Sequence, residues 1–270
     1  MTDGQGWTTM SGTRIGSVHV RDGRPLQDAV LTWSSGERAV VAVADGHGHR
    51  LHFRSDTGAA LAAVSAVEEL RRMLPALDDP GSAPGLVTTA ATAIVATWKE
   101  KVAHHRAANP YTDVELDEYG AADDPVRAYG TTLLAAAVAG DLIAFLQIGD
   151  GDSVVVDAHG RARRPLPDDP ELDGVHTTSL CQPDPISALR VAVLDARVER
   201  TVLAFLCTDG FGTPQVDADG WWRQTGEQLV EFGRSRGLDW MRGQLPDWLE
   251  EPARVGGDDT TMAVLVRDDL

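Results

Sequence analysis

The chain has almost no cysteine: Cys181 and Cys207 are the only two in 270 residues. Two thiols are too few for a disulfide framework or a thiolate zinc site, and Cys207 sits inside an apolar run, so a reducing compartment suits the protein. Positive charge is scarce as well. Lys and Arg number 24 against 41 Asp and Glu, a formal net charge of −17. With no basic cluster, nucleic acid and anionic membrane are excluded as main partners. Long apolar runs are also missing. The longest window, Thr131 to Gly149, is interrupted by Gly140-Asp141 and reads as a hairpin, not a membrane span, while Met1 to Ser17 lacks the apolar core of a signal peptide. A cytoplasmic location is the expectation. No internal repeat or low-complexity tract occurs.

What the chain does have is enough apolar residue, 43%, to bury a sizeable core in a single domain. Residues 1–14 are polar and glycine-rich and read as a loose lead-in to a domain spanning 15–270. Period-2 and β-branched patterns predict strands at Ile15 to Val20, Ala29 to Trp33, Arg38 to Ala44, Thr131 to Val138, Leu142 to Ile148, Ser153 to Val156, Leu189 to Leu194, Val202 to Leu206 and Thr260 to Val266. Helical spacing predicts a helix starting at Ser55 or Asp56 and running to Pro75, then helices over Leu86 to Ala103, Gly226 to Ser235 and Leu238 to Leu249. Residues 104–129 and 168–185 read as loops. Short strands in series with helices arriving in pairs point to an α+β fold, two antiparallel sheets between helix layers.

The chemistry is carried by carboxylates at strand ends. The run Val40 to Ala44 stops on Asp45-Gly46-His47-Gly48. Leu142 to Ile148 stops on Gly149-Asp150-Gly151, Thr201 to Cys207 on Thr208-Asp209-Gly210, and Gly257-Asp258-Asp259 opens the last strand. Asp28 begins the strand beside that of Asp45. Any one of these is an ordinary turn aspartate. Converging oxygen ligands without thiolates suit Mg²⁺ or Mn²⁺, and their mutual repulsion would be severe without a cation.

In order, Gln27-Asp28-Ala29, Asp45-Gly46-His47-Gly48, Gly130-Thr131-Thr132, Gly149-Asp150-Gly151, Asp209-Gly210 and Asp258-Asp259-Thr260 make the chain resemble the metal-dependent protein phosphatase 2C family, and the stretch Asp45 to Ala60 resembles its bacterial serine/threonine phosphatase subgroup. The resemblance implies an α-β-β-α four-layer sandwich holding two Mn²⁺ or Mg²⁺ ions in a cleft between the sheets. Asp45 would bridge both, Asp209 and Asp258 would complete the first, the Gly46 carbonyl would serve the second, Asp28 would hold a water, and Asp150 would serve a third, weaker ion. It implies hydrolysis of phosphoserine and phosphothreonine by attack of a dimetal-bound hydroxide, with His47 protonating the leaving oxygen. It also implies a phosphorylated protein as substrate and a cognate serine/threonine kinase as partner, with residues 104–129 and 211–225 as the recognition surface.

The chain departs from the family in places. The arginine that contacts phosphate in many members falls here on Gly23, so Arg21, Arg24 or Arg54 would have to substitute. Asp152, in Gly151-Asp152-Ser153, competes with Asp150 for the third ion. His47, His49 and His52 carry the H-x-H-x-x-H spacing of the metallo-β-lactamase motif, but Leu51 stands where that motif needs Asp. The missing arginine leaves an alternative: a pseudophosphatase acting as a regulatory binding module.

Overall fold

The computed structural model describes residues 6–119, 124–170, 177–217 and 220–270. One sheet has the strand order β1 (Trp7–Arg14), β10 (Thr260–Arg267), β9 (Thr201–Cys207), β6 (Asp152–Asp157), β7 (Ala162–Arg163). The other runs β2 (Ala29–Ser35), β3 (Arg38–Ala44), β4 (Leu133–Ala139), β5 (Leu142–Ile148), β8 (Arg190–Asp195). All pairings within both sheets are antiparallel. The helices are α1 (Ser17–Asp22), α2 (Ser55–Met73), α3 (Ala83–Ala108), α4 (Asp113–Tyr119), α5 (Pro185–Ala188), α6 (Ala196–Glu199), α7 (Asp209–Gly212), α8 (Trp221–Arg236), α9 (Leu238–Trp248) and α10 (Glu250–Gly256).

The side-chain period of a strand explains the layers. On β3, Val40, Ala42 and Ala44 face a core shared with α2 and α3, while Ala39, Val41 and Val43 face the other sheet. On β10, Met262, Val264 and Val266 pack under α8 and α9, and Ala263 and Leu265 turn to the centre. Strands buried on both faces lose the polar alternation of a half-exposed strand, so these segments read as continuous apolar runs. The result is the expected α-β-β-α sandwich.

Several local readings are corrected. The loose lead-in is, over residues 7–14, the edge strand β1, with Trp7 opposite Arg267 and Arg14 opposite Thr260. Its partner lies some 250 residues away, beyond any local pattern; Trp7 is buried and donates from Nε1 to Gly140 O at 2.9 Å. Residues 1–5 of that reading lie outside the described residues. Ile15 to Val20 is not a strand. The chain turns there into α1, which ends at left-handed Gly23 (φ 67°) and is pinned by Val18 N donating to Gly257 O. The loop expected over 104–129 holds the last turn of α3 and the whole of α4, and the described part of the 168–185 loop ends in α5; residues 120–123 and 171–176 lie outside the described residues.

Helix α2 approaches the 127–129 turn closely because Gly58 has no side chain. A Cβ there would overlap the Tyr129 carbonyl, and Trp98 Nε1 of α3 donates to Gly58 O at 3.0 Å. Gly58→Ala is expected to destabilise the protein by roughly 1–3 kcal/mol through overpacking, against a smaller gain in helix propensity. A lowered urea midpoint with an unchanged m-value would register it.

Candidate metal centre

The ends of β3, β9, β10 and β2 and the β5–β6 turn meet at one end of the sandwich around a cleft of about 660 Å³. Asp45, Asp150, Asp209 and Asp258 all line it, with His47, His49, His52, Thr132, Ser179 and Cys181. Asp28 lies behind, buried, its Oδ2 accepting from Thr208 Oγ1 at 2.9 Å.

Asp45 is fixed through its backbone. Its N–H donates to Thr132 Oγ1 at 3.1 Å, and its carbonyl accepts from Thr132 N at 2.9 Å and Thr131 Oγ1 at 2.8 Å. Gly46 donates to Gln27 O, and a Cβ at Gly46 would stand 2.6 Å from that oxygen and 2.7 Å from Ser55 O, so only glycine lets three segments meet behind the carboxylate. The Gly130-Thr131-Thr132 motif is thus the clamp on the Asp45 turn, a role the sequence reading did not assign.

The electrostatics are those of crowded anions. Burial, followed by the charges of Asp28 and Asp209, pushes the Asp45 carboxyl well above the usual carboxylate range. Burial does the same to Asp28, reinforced by Asp259 and Asp209 against the opposing hydroxyl hydrogen bonds. Burial raises Asp209 to about 6, and it forms a carboxyl pair with Asp45. Oδ1 of Asp28 and Oδ1 of Asp209 are buried and accept no hydrogen bond among the described residues. No three of the described His, Cys, Asp and Glu side chains already form a closed coordination group. Orphaned, desolvated carboxylate oxygens are nevertheless the donor set that hard divalent cations take, so the residues fit such ions.

The other expected site residues divide. Asp150 is exposed and lines both the cleft and a neighbouring pocket, whereas Asp152 lines the neighbouring pocket, salt-bridged to Arg164 at 2.6 Å. Arg54 is removed from the phosphate candidates. It donates to Asn109 O, Tyr129 Oη and both Glu115 carboxylate oxygens, lies 4.5 Å over the Tyr111 ring, and does not line the cleft. The reason is local: α4, read as loop from sequence, supplies Glu115. Arg21 is occupied by Asp22 at 2.8 Å. Arg24 alone of the three reaches the cleft rim, donating from Nη1 to Gly48 O at 3.2 Å.

His47 Nε2 is 2.8 Å from Ser179 Oγ, whose own proton has an acceptor in Thr131 O at 3.1 Å. That arrangement assigns the imidazole proton to Nε2. Burial, followed by the nearby His52, lowers its pKa to about 4. The ring therefore rests neutral, which works against His47 as a standing proton donor. Sequence reasoning also missed Asp259, buried, which takes Gly16 N at 2.8 Å and Gln27 N at 2.6 Å on its two oxygens. The only signal was its place beside Asp258 at the start of a strand.

Four carboxylates line the cleft at the open end of the two-sheet sandwich, with a fifth, Asp28, buried behind them. A family profile described as Protein phosphatase 2C matches residues 15–250, and the chain belongs to that family. No curated protein matches it. Among solved structures, the fold is shared with PppA, a key regulatory component of T6SS in Pseudomonas aeruginosa, at 18% identity and TM-score 0.60 over 97% of this chain and 98% of that one. It is shared with the catalytic domain of the serine/threonine protein phosphatase PstP in complex with two manganese ions, at 19% identity and TM-score 0.60 over 96% and 97%. The S. agalactiae serine/threonine phosphatase matches at 17% identity and TM-score 0.60 over 97% and 99%. Among the described residues no helix is long and apolar enough to cross a membrane.

Proposed function

We propose that the chain is a single-domain phosphoprotein phosphatase that hydrolyses phosphoserine and phosphothreonine with Mn²⁺ or Mg²⁺. The observation that carries this is the meeting of Asp45, Asp150, Asp209 and Asp258 on one cleft, with buried carboxylate oxygens that lack partners. Asp45, Asp209, Asp258 and the Gly46 carbonyl would hold two ions, Asp150 would serve a third, and Asp28 would orient a water. The ions, when bound, supply Lewis acidity toward water and the phosphoryl group.

The protein's own part is positional. The Thr131–Thr132 clamp holds Asp45 against reorganisation, and Thr208 ties Asp28 of one sheet to the strand end that presents Asp209 on the other. Arg24, at the rim beside Gly48, is the residue placed to meet a phosphate oxygen. His47, neutral and held by Ser179, lines the cleft beside Asp45; it would have to take up a proton before it could give one to the leaving seryl oxygen. The substrate is then a phosphorylated protein, with a serine/threonine kinase as the enzyme that supplies it.

The pseudophosphatase reading draws on the arginine missing at Gly23, and on Arg54, a candidate to replace it, being bound to Glu115 instead. Metal-stripped protein assayed on p-nitrophenyl phosphate and a phosphothreonine peptide separates the two. Activity restored by Mn²⁺ or Mg²⁺ is the expected result; no turnover with either ion would leave the binding module. Activity with Zn²⁺ alone would move the chemistry to His47, His49 and His52.

A further inference from the structure

Helix α1 presents one buried side chain, His19, to the loop that carries Asp258. Its Nε2 stands 3.5 Å from Asp258 Oδ1 and its Nδ1 3.0 Å from Asp259 Oδ1. The two carboxylates differ sharply: Asp259 is buried and fully engaged by backbone donors, while the Asp258 side chain is 55% exposed. Among the described residues, the exposed one takes backbone support from Asp259 N, which donates to the same Oδ1 at 2.9 Å. Both of these contacts fall on Oδ1 and leave Oδ2 clear of them.

The fold brings His19 there by unusually close backbone contact. A Cβ on Gly16 would overlap the Gly257 carbonyl and the Asp258 backbone, and Gly257 itself is left-handed (φ 89°) with Val18 packed against it. Val18 N donates to Gly257 O at 3.0 Å and Ser17 Oγ to Arg254 O at 2.9 Å. The carbonyl of His19 in turn accepts from Arg24 N at 2.9 Å. One residue thus touches the side chain of a metal-ligand candidate and anchors the backbone of the rim arginine.

We infer that His19 is a positioning residue of the metal centre: its imidazole holds the Asp258 carboxylate in the rotamer that offers Oδ2 to a cation. This rests on the proposed metal reading of the site. An outer partner that orients a ligating group is typically worth 10–100-fold in metal affinity. Gln is long enough to place an amide N–H where Nε2 stands; Leu fills the same volume without a donor.

Binding of Mn²⁺ to metal-stripped protein, followed by the electron paramagnetic resonance signal of the free ion, tests it without any turnover. His19→Leu is expected to weaken binding about tenfold, with His19→Gln recovering most of the loss. Circular dichroism of both variants should match the wild type, which separates ligand orientation from loss of α1. The inference is overturned if His19→Leu binds as tightly as wild type, or if His19→Gln is as weak as His19→Leu. Wild-type protein that binds no Mn²⁺ overturns it too, and marks the failure as that of the metal reading itself.

Discussion

Asp209→Asn is expected to abolish most phosphatase activity while making the metal-free protein more stable. Even outer partners of a metal typically contribute 10–100-fold, so a direct ligand should be worth at least about 10²-fold in kcat/KM on p-nitrophenyl phosphate with Mn²⁺. Stability moves the other way. Asp209 titrates at about 6 in the folded chain, raised by burial first. A raised folded pKa means that the group's contribution is fully present below the ordinary carboxylate value and is lost as pH rises through about 6. The amide carries no such penalty. The gain in Tm of Asp209→Asn over wild type, measured in chelator, should be near zero at pH 4 and grow through pH 6 to a plateau. A gain that is flat with pH, or a loss at pH 7.5, would show that the carboxylate is not held in the crowded, desolvated state described.

Mn²⁺ should raise the thermal midpoint of the wild type by several degrees. Ligand at about 100 times its dissociation constant stabilises a protein that binds only when folded by about 2.7 kcal/mol. At about 2–4 °C per kcal/mol for domains approaching this size, the shift is roughly 5–10 °C. The physical source is relief of the burial penalty, and then of the mutual repulsion, that raise Asp28, Asp45 and Asp209 together. The shift should therefore nearly vanish in Asp45→Asn, where the candidate bridging carboxylate is gone. Ca²⁺ at equal concentration serves as the comparison for a cation of the same charge but larger radius. An equal shift with Asp45→Asn would place the ion elsewhere on the acidic surface.

The layered fold was readable because its strands are buried on both faces and its central helices keep helical spacing: β3, β5 and α2 fall where their patterns put them. What escaped the sequence was whatever depended on a distant partner. β1 looks like polar lead-in until β10 is laid beside it, and α1 has the residues of a short strand until Gly257 takes the N–H of Val18. The carboxylates were legible as a set because each stands at one end of an apolar run, beside a glycine in every case but Asp28. Their surroundings were not: Thr132 stood in a motif with no role attached, and Ser179 and His19 carry no local pattern that marks them. Arg54 shows the opposite failure. A conspicuous arginine beside the Asp45 turn is bound to Glu115 of a helix that acidic composition disguised as loop.

The pairing of β1 with β10 also sets a schedule for the growing polypeptide. Strands β2 to β5 can pair as soon as they leave the ribosome, but residue 7 finds its partner only when residues 260–267 have been made. At about 5–20 residues per second that wait is roughly 13–50 s. Asp258 arrives in the same final stretch. The carboxylate cleft is thus completed late, because Asp258 and β10 are made together, well after Asp45 and Asp209.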